Sequence, residues 1–131
     1  MASTEPRIGQ SYSCAEQSRM HGGDSRSTLP DSGGKVTLIR FRLDRNPDGP
    51  HIIDHGPPKT PASRTHERVE MLRRQSESLP VYKHISGGAW EYLGRYRVQG
   101  ITDGGQAALE RSKIRRRPTR YVIRLKKVDS S

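Results

Sequence analysis

The sequence predicts an α+β domain: a small curled antiparallel β-sheet, or partly closed barrel, with one main helix and a disordered N-terminal arm. Three observations carry this expectation. Short alternating apolar segments outnumber helical ones and are joined by glycine-rich turns, which favours hairpin connections over crossovers. Only one stretch, residues 64–76, has clear helical spacing. Apolar residues are 30% of the 131, and about 40% with glycine included, against roughly 45–50% in a typical domain. So little apolar surface cannot offset the backbone entropy of ordering the whole chain, which runs at about 1–2 kcal/mol per residue.

Residues 1–34 are rich in Ser, Gly, Arg and Glu without apolar periodicity, and are expected to form the disordered arm; residues 35–129 are expected to form the β-domain. Residues 36–43 read as a strand with Phe41 and Leu43 inward and Arg40 and Arg42 outward. Asn46-Pro47-Asp48-Gly49 is a turn, because Pro presets φ and Gly accepts positive φ. Residues 50–54 read as a short strand returning antiparallel. Residues 55–61 hold three prolines and a glycine, and so form a loop. The helix over 64–76, capped by Ser63 or Thr65, buries Val69 and Leu72 with Met71 beside them. Its acids Glu67 and Glu70 come early and its bases Arg73 and Arg74 late, as the helix dipole prefers. Leu79-Pro80 ends it.

Residues 81–85 alternate as a strand, 86–88 form a hairpin turn, and 90–98 are the most strand-like stretch. Gly94 in its middle marks a bulge or a close backbone approach. Residues 102–105 are a turn, and 106–113 are one helical turn or loop. Residues 119–128 form the last strand, with Tyr121, Ile123 and Leu125 on one face.

The formal charge is +10 and the isoelectric point about 10.4. Residues 1–65 carry nine basic and seven acidic side chains, and residues 66–131 fifteen and seven. The surplus therefore lies in the second half. That balance favours polyanions as partners, nucleic acid first. No run approaches the ~20 apolar residues that span a bilayer, residues 1–10 lack the apolar region of a secretory signal, and the single Cys14 excludes an internal disulfide. A cytoplasmic protein without membrane association is expected.

Trp90, Tyr92 and Tyr96 are candidate base-stacking surfaces or core residues; without a bulge they share one face, with Arg95 and Arg97 on the other. Arg115, Arg116 and Arg117 are the main phosphate-binding candidates, joined by Arg120 on the last strand and by His55, Lys59 and Arg64 in and after the proline loop. His51-x-x-x-His55 would pair imidazoles only on a helix, which Gly56-Pro57-Pro58 forbids. No metal, cofactor or catalytic constellation is expected, and the chain does not read as an enzyme.

Leu79-Pro80-Val81, the glycine hairpin, Tyr92-Leu93-Gly94-Arg95-Tyr96-Arg97-Val98 and Tyr121-Val122-Ile123-Arg124-Leu125 together resemble the SRA (YDG) domain. The likeness is greatest to the version in prokaryotic modification-dependent restriction endonucleases. Asp54-His55-Gly56-Pro57 stands in place of that family's Tyr-Thr-Gly loop, and residues 63–72 in place of its helix. The resemblance implies a PUA-like curled barrel that binds double-stranded DNA and flips a modified cytosine, in a restriction or defence setting with a nuclease as partner. Leu93 stands where the family motif carries the carboxylate that reads the flipped base. Two function classes stay open here. One is a nucleic-acid-binding module recognising modified-base DNA. The other is a non-catalytic interaction protein or truncated domain, whose basic C-terminal segment binds a protein or RNA.

Overall fold

The computed structural model describes residues 5–60 and 62–128. Residues 1–4 of the expected arm, Pro61 of the expected loop and residue 129 of the expected domain lie outside them.

The fold is α+β. Strands β1 (Ser11–Tyr12), β2 (Asp31–Ser32), β3 (Lys35–Val36), β4 (Ile39–Phe41), β5 (Ile52–His55), β6 (Leu79–Ser86), β7 (Ala89–Asp103) and β8 (Tyr121–Lys127) alternate with helices α1 (Cys14–His21), α2 (Thr65–Arg74) and α3 (Gly105–Arg115). The main sheet runs β4-β6-β7-β8-β5, with β1 also paired to β7. The two outer strands of that path, β4 and β5, do not pair with each other, so the curled sheet remains open as a half-barrel.

The fifteen-residue β7 is the spine. Its first half pairs with β6 on one edge and with β1 on the other, while its second half pairs with β8. Gly94 marks the changeover. It has φ +109°, and a Cβ there would sit 3.2 Å from Ile8 Cδ1 and 3.5 Å from Lys127 Cε. Glycine thus answers both needs, a left-handed backbone and a close approach. The β6–β7 register slips here as well, with Val81 opposite Gly94 and Tyr82 opposite Tyr92. Leu93 is therefore the extra residue of a bulge, and a second irregularity lies between Val98 and Gly100. Bulges bend and twist a strand, which lets one strand serve the whole curl.

The larger core joins Ile39, Phe41, Ile53, Leu79, Val81, Tyr96, Tyr121, Ile123 and Leu125 of the sheet to Val69 and Leu72 of α2. The inward Tyr121, Ile123 and Leu125 agree with the alternation of the sequence. Val122, on the opposite face of β8, is also fully buried.

Several expectations are corrected. The disordered arm fails for residues 5–34. Ser13 and Glu16 form a reciprocal capping box that starts α1, Leu29 enters the core, and Gln17 is fully buried. The missing apolar periodicity misled because this segment is held by polar contacts. Arg40, expected outward, is 2% exposed. Its Nε donates to Gln17 Oε1 at 2.6 Å, and Nη1 donates to the carbonyls of Asp24 and Ser27. Leu43, expected inward, lies past the end of β4 and is exposed. Residues 50–54 do not return against 36–43: β4 pairs parallel with β6, and β5 antiparallel with β8. There is not one main helix, because α3 is eleven residues long. Its only buried members are Ala108 and Arg111, so it has no apolar stripe to read.

Candidate nucleic-acid interface

The bulge at Leu93 overturns the expectation of one aromatic face. Tyr92 packs with Leu38 and Tyr82, with Tyr12 and Trp90 alongside, whereas Tyr96 lies in the main core. Tyr92 is 3% exposed and Tyr96 5%. Tyr82 anchors the smaller cluster, its ring 5.2 Å from that of Tyr92 and its hydroxyl 2.8 Å from His21 Nε2. Burial raises the Tyr82 and Tyr92 phenols above their ordinary range. Trp90 alone keeps a partly open ring, packed edge-on to His84 at 4.8 Å.

Three of the basic candidates are paired with other side chains of the protein, Arg64 and Arg120 at its surface and Arg95 part-buried. Arg64 makes a bidentate pair with Asp31 and also contacts Glu67. Arg95 donates to Ser78 Oγ and O, each at 2.8 Å, and lies 3.7 Å from Glu5. Arg120 meets Asp103 at 2.5 Å and lies over the Tyr121 ring.

His55, Lys59, Arg115 and Arg117 do come together. They line a cavity of about 750 Å³ between the end of β5, the proline loop and the C-terminal end of α3. Each element positions its part. β5 ends at His55, whose carbonyl accepts from Arg120 N at 2.9 Å. Pro57 and Pro58 then wall one side, with Lys59 following. Asp54, fully buried, is gripped by Arg111 of α3 through Nε at 2.9 Å and Nη2 at 2.8 Å. Arg111 Nη2 also reaches Asp48 at 2.7 Å. These carboxylates hold the Arg111 guanidinium above its ordinary range.

One helical turn further along α3, Arg115 has no such partner. Its Nε and Nη1 are buried without any hydrogen bond, and Nη2 makes one long contact of 3.4 Å to Pro118 O. Burial pushes Arg115 below its ordinary range; the Asp54 charge opposes this, and those of Arg117, Arg111 and Arg45 add to it. His55 is held below the ordinary histidine range mainly by burial, with Arg115 and Arg68 adding to it and the bond to Gly56 O opposing. α3 stops because Arg116 takes the left-handed conformation at φ 59°. For a residue with a Cβ this costs roughly 1–2 kcal/mol. The turn sends Arg117 and Pro118 back to the cavity wall, while Arg116 stays exposed outside it.

A second basic surface lies at the other end of β8. Arg97, Arg124, Lys126 and Lys127 edge two open grooves there, with His51 and Gln99 between them. About 20 Å of extended chain separates Lys127 from Tyr121, which lies opposite His55. Most carboxylates of the described residues lie within ion-pair distance of a cation elsewhere. Glu16 instead caps α1, and Glu110 accepts from Gln106. Arg45, Lys59, Arg115 and Arg117 at the first place and Arg97, Lys126 and Lys127 at the second are thus cations without an ion pair among the described residues, alongside scattered ones such as Arg7, Arg19, Arg74 and Lys113.

Sequence reasoning missed Arg45, Thr28, Thr60, Ser63 and Thr65 of the cavity wall, and the Asp54–Arg111 pair beneath it. Arg45 adjoins the Asn46-Pro47-Asp48-Gly49 turn, and that adjacency to the proline loop exists only in three dimensions. Among the described residues no group of three His, Cys, Asp or Glu side chains is set to hold a metal ion, and no helix is long and apolar enough to cross a membrane. No family model, curated protein or solved structure matches this chain.

Proposed function

We propose that this chain is a non-catalytic nucleic-acid-binding module that holds a duplex mainly by its phosphates. One observation carries the reading. The fold pairs most of its described carboxylates internally and gathers Arg45, Lys59, Arg115 and Arg117 at one end of the β5–β8 pair, and Arg97, Lys126 and Lys127 at the other, none of these seven in an ion pair among the described residues. Two cationic regions spaced along one strand pair suit a polymer of regularly spaced charge. Neutralising phosphates releases counterions, which supplies sequence-independent affinity. A preference for modified cytosine, a restriction setting and a nuclease partner rest on the resemblance to the SRA domain alone. Tyr92 and Tyr96 lie in the core, so they offer no open ring on which a flipped base could stack.

The test is duplex DNA binding across a salt series, with plain and cytosine-modified duplexes side by side. Binding is expected to weaken steeply with salt. The triple variant R97A/K126A/K127A should flatten the log–log slope by about 0.9 for each phosphate it no longer neutralises. A shallow slope, unchanged in that variant, would refute the reading and favour a protein partner instead.

A further inference from the structure

The cavity beneath the proline loop holds an uncompensated charge that duplex binding alone does not explain. Arg111 and Arg115 leave the same helix one turn apart. The first has two carboxylates, and the second has buried Nε and Nη1 atoms with no partner. Buried polar groups are nearly always hydrogen-bonded, and a buried cation without a counter-charge is costly. Arg45, Lys59 and Arg117 line the same space, and Asp54, the one carboxylate among the described residues of its wall, is hydrogen-bonded through both oxygens to Arg111 and to none of these cations.

We propose that this cavity is a binding site for a phosphomonoester of nucleotide size, its phosphate held among Arg45, Lys59, Arg115 and Arg117. Four cations around one space call for more negative charge than a carboxylate or an internal phosphodiester brings, and a phosphomonoester is close to a dianion at neutral pH. Its oxygens need several donors. Guanidinium groups suit them in geometry, and the Thr28 and Thr60 hydroxyls on the wall make no hydrogen bond among the described residues. Pro57 and Pro58 add an apolar wall for a sugar or base. At about 750 Å³ the space matches pockets for small organic ligands, which run roughly 300–1,000 Å³. A strand terminus and a free nucleotide present the same group. The first source would deepen the nucleic-acid reading, and the second would stand apart from it.

The experiment titrates the full chain with deoxyadenosine 5′-monophosphate, with deoxyadenosine, and with the cyclic 3′,5′-monophosphate as a diester control, by calorimetry or amide NMR. The monophosphate should bind and shift amides of residues 55–60 and 115–118, and the nucleoside and cyclic diester should bind at least about tenfold more weakly. R45A/K59A alters two exposed loop positions and should weaken the monophosphate about tenfold or more. R115Q should weaken it further, and if that variant fails to fold, the double variant decides. A 5′-phosphorylated oligonucleotide binding more tightly than its 5′-hydroxyl twin identifies the strand terminus as the source; equal binding of the two, with the monophosphate bound, identifies the free nucleotide. Nucleoside binding as tight as nucleotide binding, or no effect of R45A/K59A, overturns the proposal. Duplex affinity carried by Arg97, Lys126 and Lys127 can survive that result, so the two readings fail separately.

Discussion

The stretch 90–98 and the corner 111–118 are the two chemically loudest parts of the sequence, one in aromatic rings and the other in arginines. The fold treats them in opposite ways. The first turns inward: a one-residue bulge sends Tyr92 to one cluster and Tyr96 to another, and Arg95 is bound to Ser78. The second is divided between roles, with Arg111 locked to Asp54 and Arg115 left beside an open cavity. Residue type therefore does not separate structure from function here. What separates them is whether a partner of opposite character already lies within reach.

The sharpest break in this comparison concerns neither region directly. Removing residues 1–34 should abolish the cooperative melt. The deletion takes away Leu29, the β1 edge of β7, the His21 partner of Tyr82, and every hydrogen-bond acceptor of the Arg40 side chain. That leaves a cation buried without partners, which proteins seldom tolerate. A truncated chain that melts cooperatively, followed by circular dichroism, would return these residues to the status of an arm.

Asp54 and Arg115 set the two kinds of arginine against each other. Asp54→Ala should cost about 1.5–3 kcal/mol, because it removes the bidentate partner of Arg111 and leaves it only the half-exposed Asp48. Arg115→Met should leave stability unchanged or raise it, since it removes a partly buried guanidinium whose Nε and Nη1 have no hydrogen-bond partner. Urea denaturation of the two variants checks the contrast. Equal losses of stability would mean that Arg115 has a stabilising partner after all.

Within the aromatic stretch, Tyr92→Ala should destabilise by about 3–5 kcal/mol, as truncation of a buried ring does. Trp90→Ala should cost clearly less, because Trp90 is only half-buried against His84 and the rim of the smaller cluster. A Tyr92 variant that melts like the parent but loses nucleic-acid affinity would reopen the base-stacking role.

How far the sequence was legible follows from what kind of contact each element uses. β8 and α2 could be read because one face of each is apolar at the right period, and the structure places Tyr121, Ile123, Leu125, Val69 and Leu72 in the core. Residues 5–34 and α3 could not. Their anchors are Gln17, Arg40, Asp54 and Arg111, polar residues that are buried only because a partner distant in sequence meets them. β4 was readable as a strand but not as a parallel neighbour of β6, since alternation shows facing and not pairing. The same holds for the candidate site. His55, Lys59, Arg115 and Arg117 were named from charge and loop context, and the cavity does gather them. Arg64 and Arg120 looked identical in sequence, yet the fold ties them to Asp31 and Asp103.

The smallest expected effect distinguishes the two regions by pH. His21 lies against Tyr82 in the aromatic cluster, and His55 lies at the cavity. Burial lowers the pKa of both, opposed at His21 mainly by the charge of Glu5 and at His55 by the bond to Gly56 O. A histidine depressed in the folded state binds fewer protons there than in the unfolded chain, so stability rises with pH across the interval between its two pKa values. The contribution is complete above the ordinary value near 6.5 and is lost as pH falls through the folded value. Asp24, Asp44 and Asp103 also sit below their ordinary range, held there by hydrogen bonds and cations, but they act only once pH falls below about 4. The melting temperature should therefore drop first as pH falls below about 6.5, by an amount that H21Q and H55Q each reduce in part. Anion binding then separates the two histidines. A phosphate in the cavity favours the protonated His55 and returns the cost of charging it, so saturating deoxyadenosine 5′-monophosphate should offset more of the acid-side drop in the parent and in H21Q than in H55Q. In H55Q, whose drop comes from His21 alone, the nucleotide should stabilise less at about pH 5.5 than at about pH 7, because its own phosphate, with a second pKa near about 6, takes up a proton there. A ligand effect of the same pH dependence in all three proteins would mean that His55 does not face the bound anion.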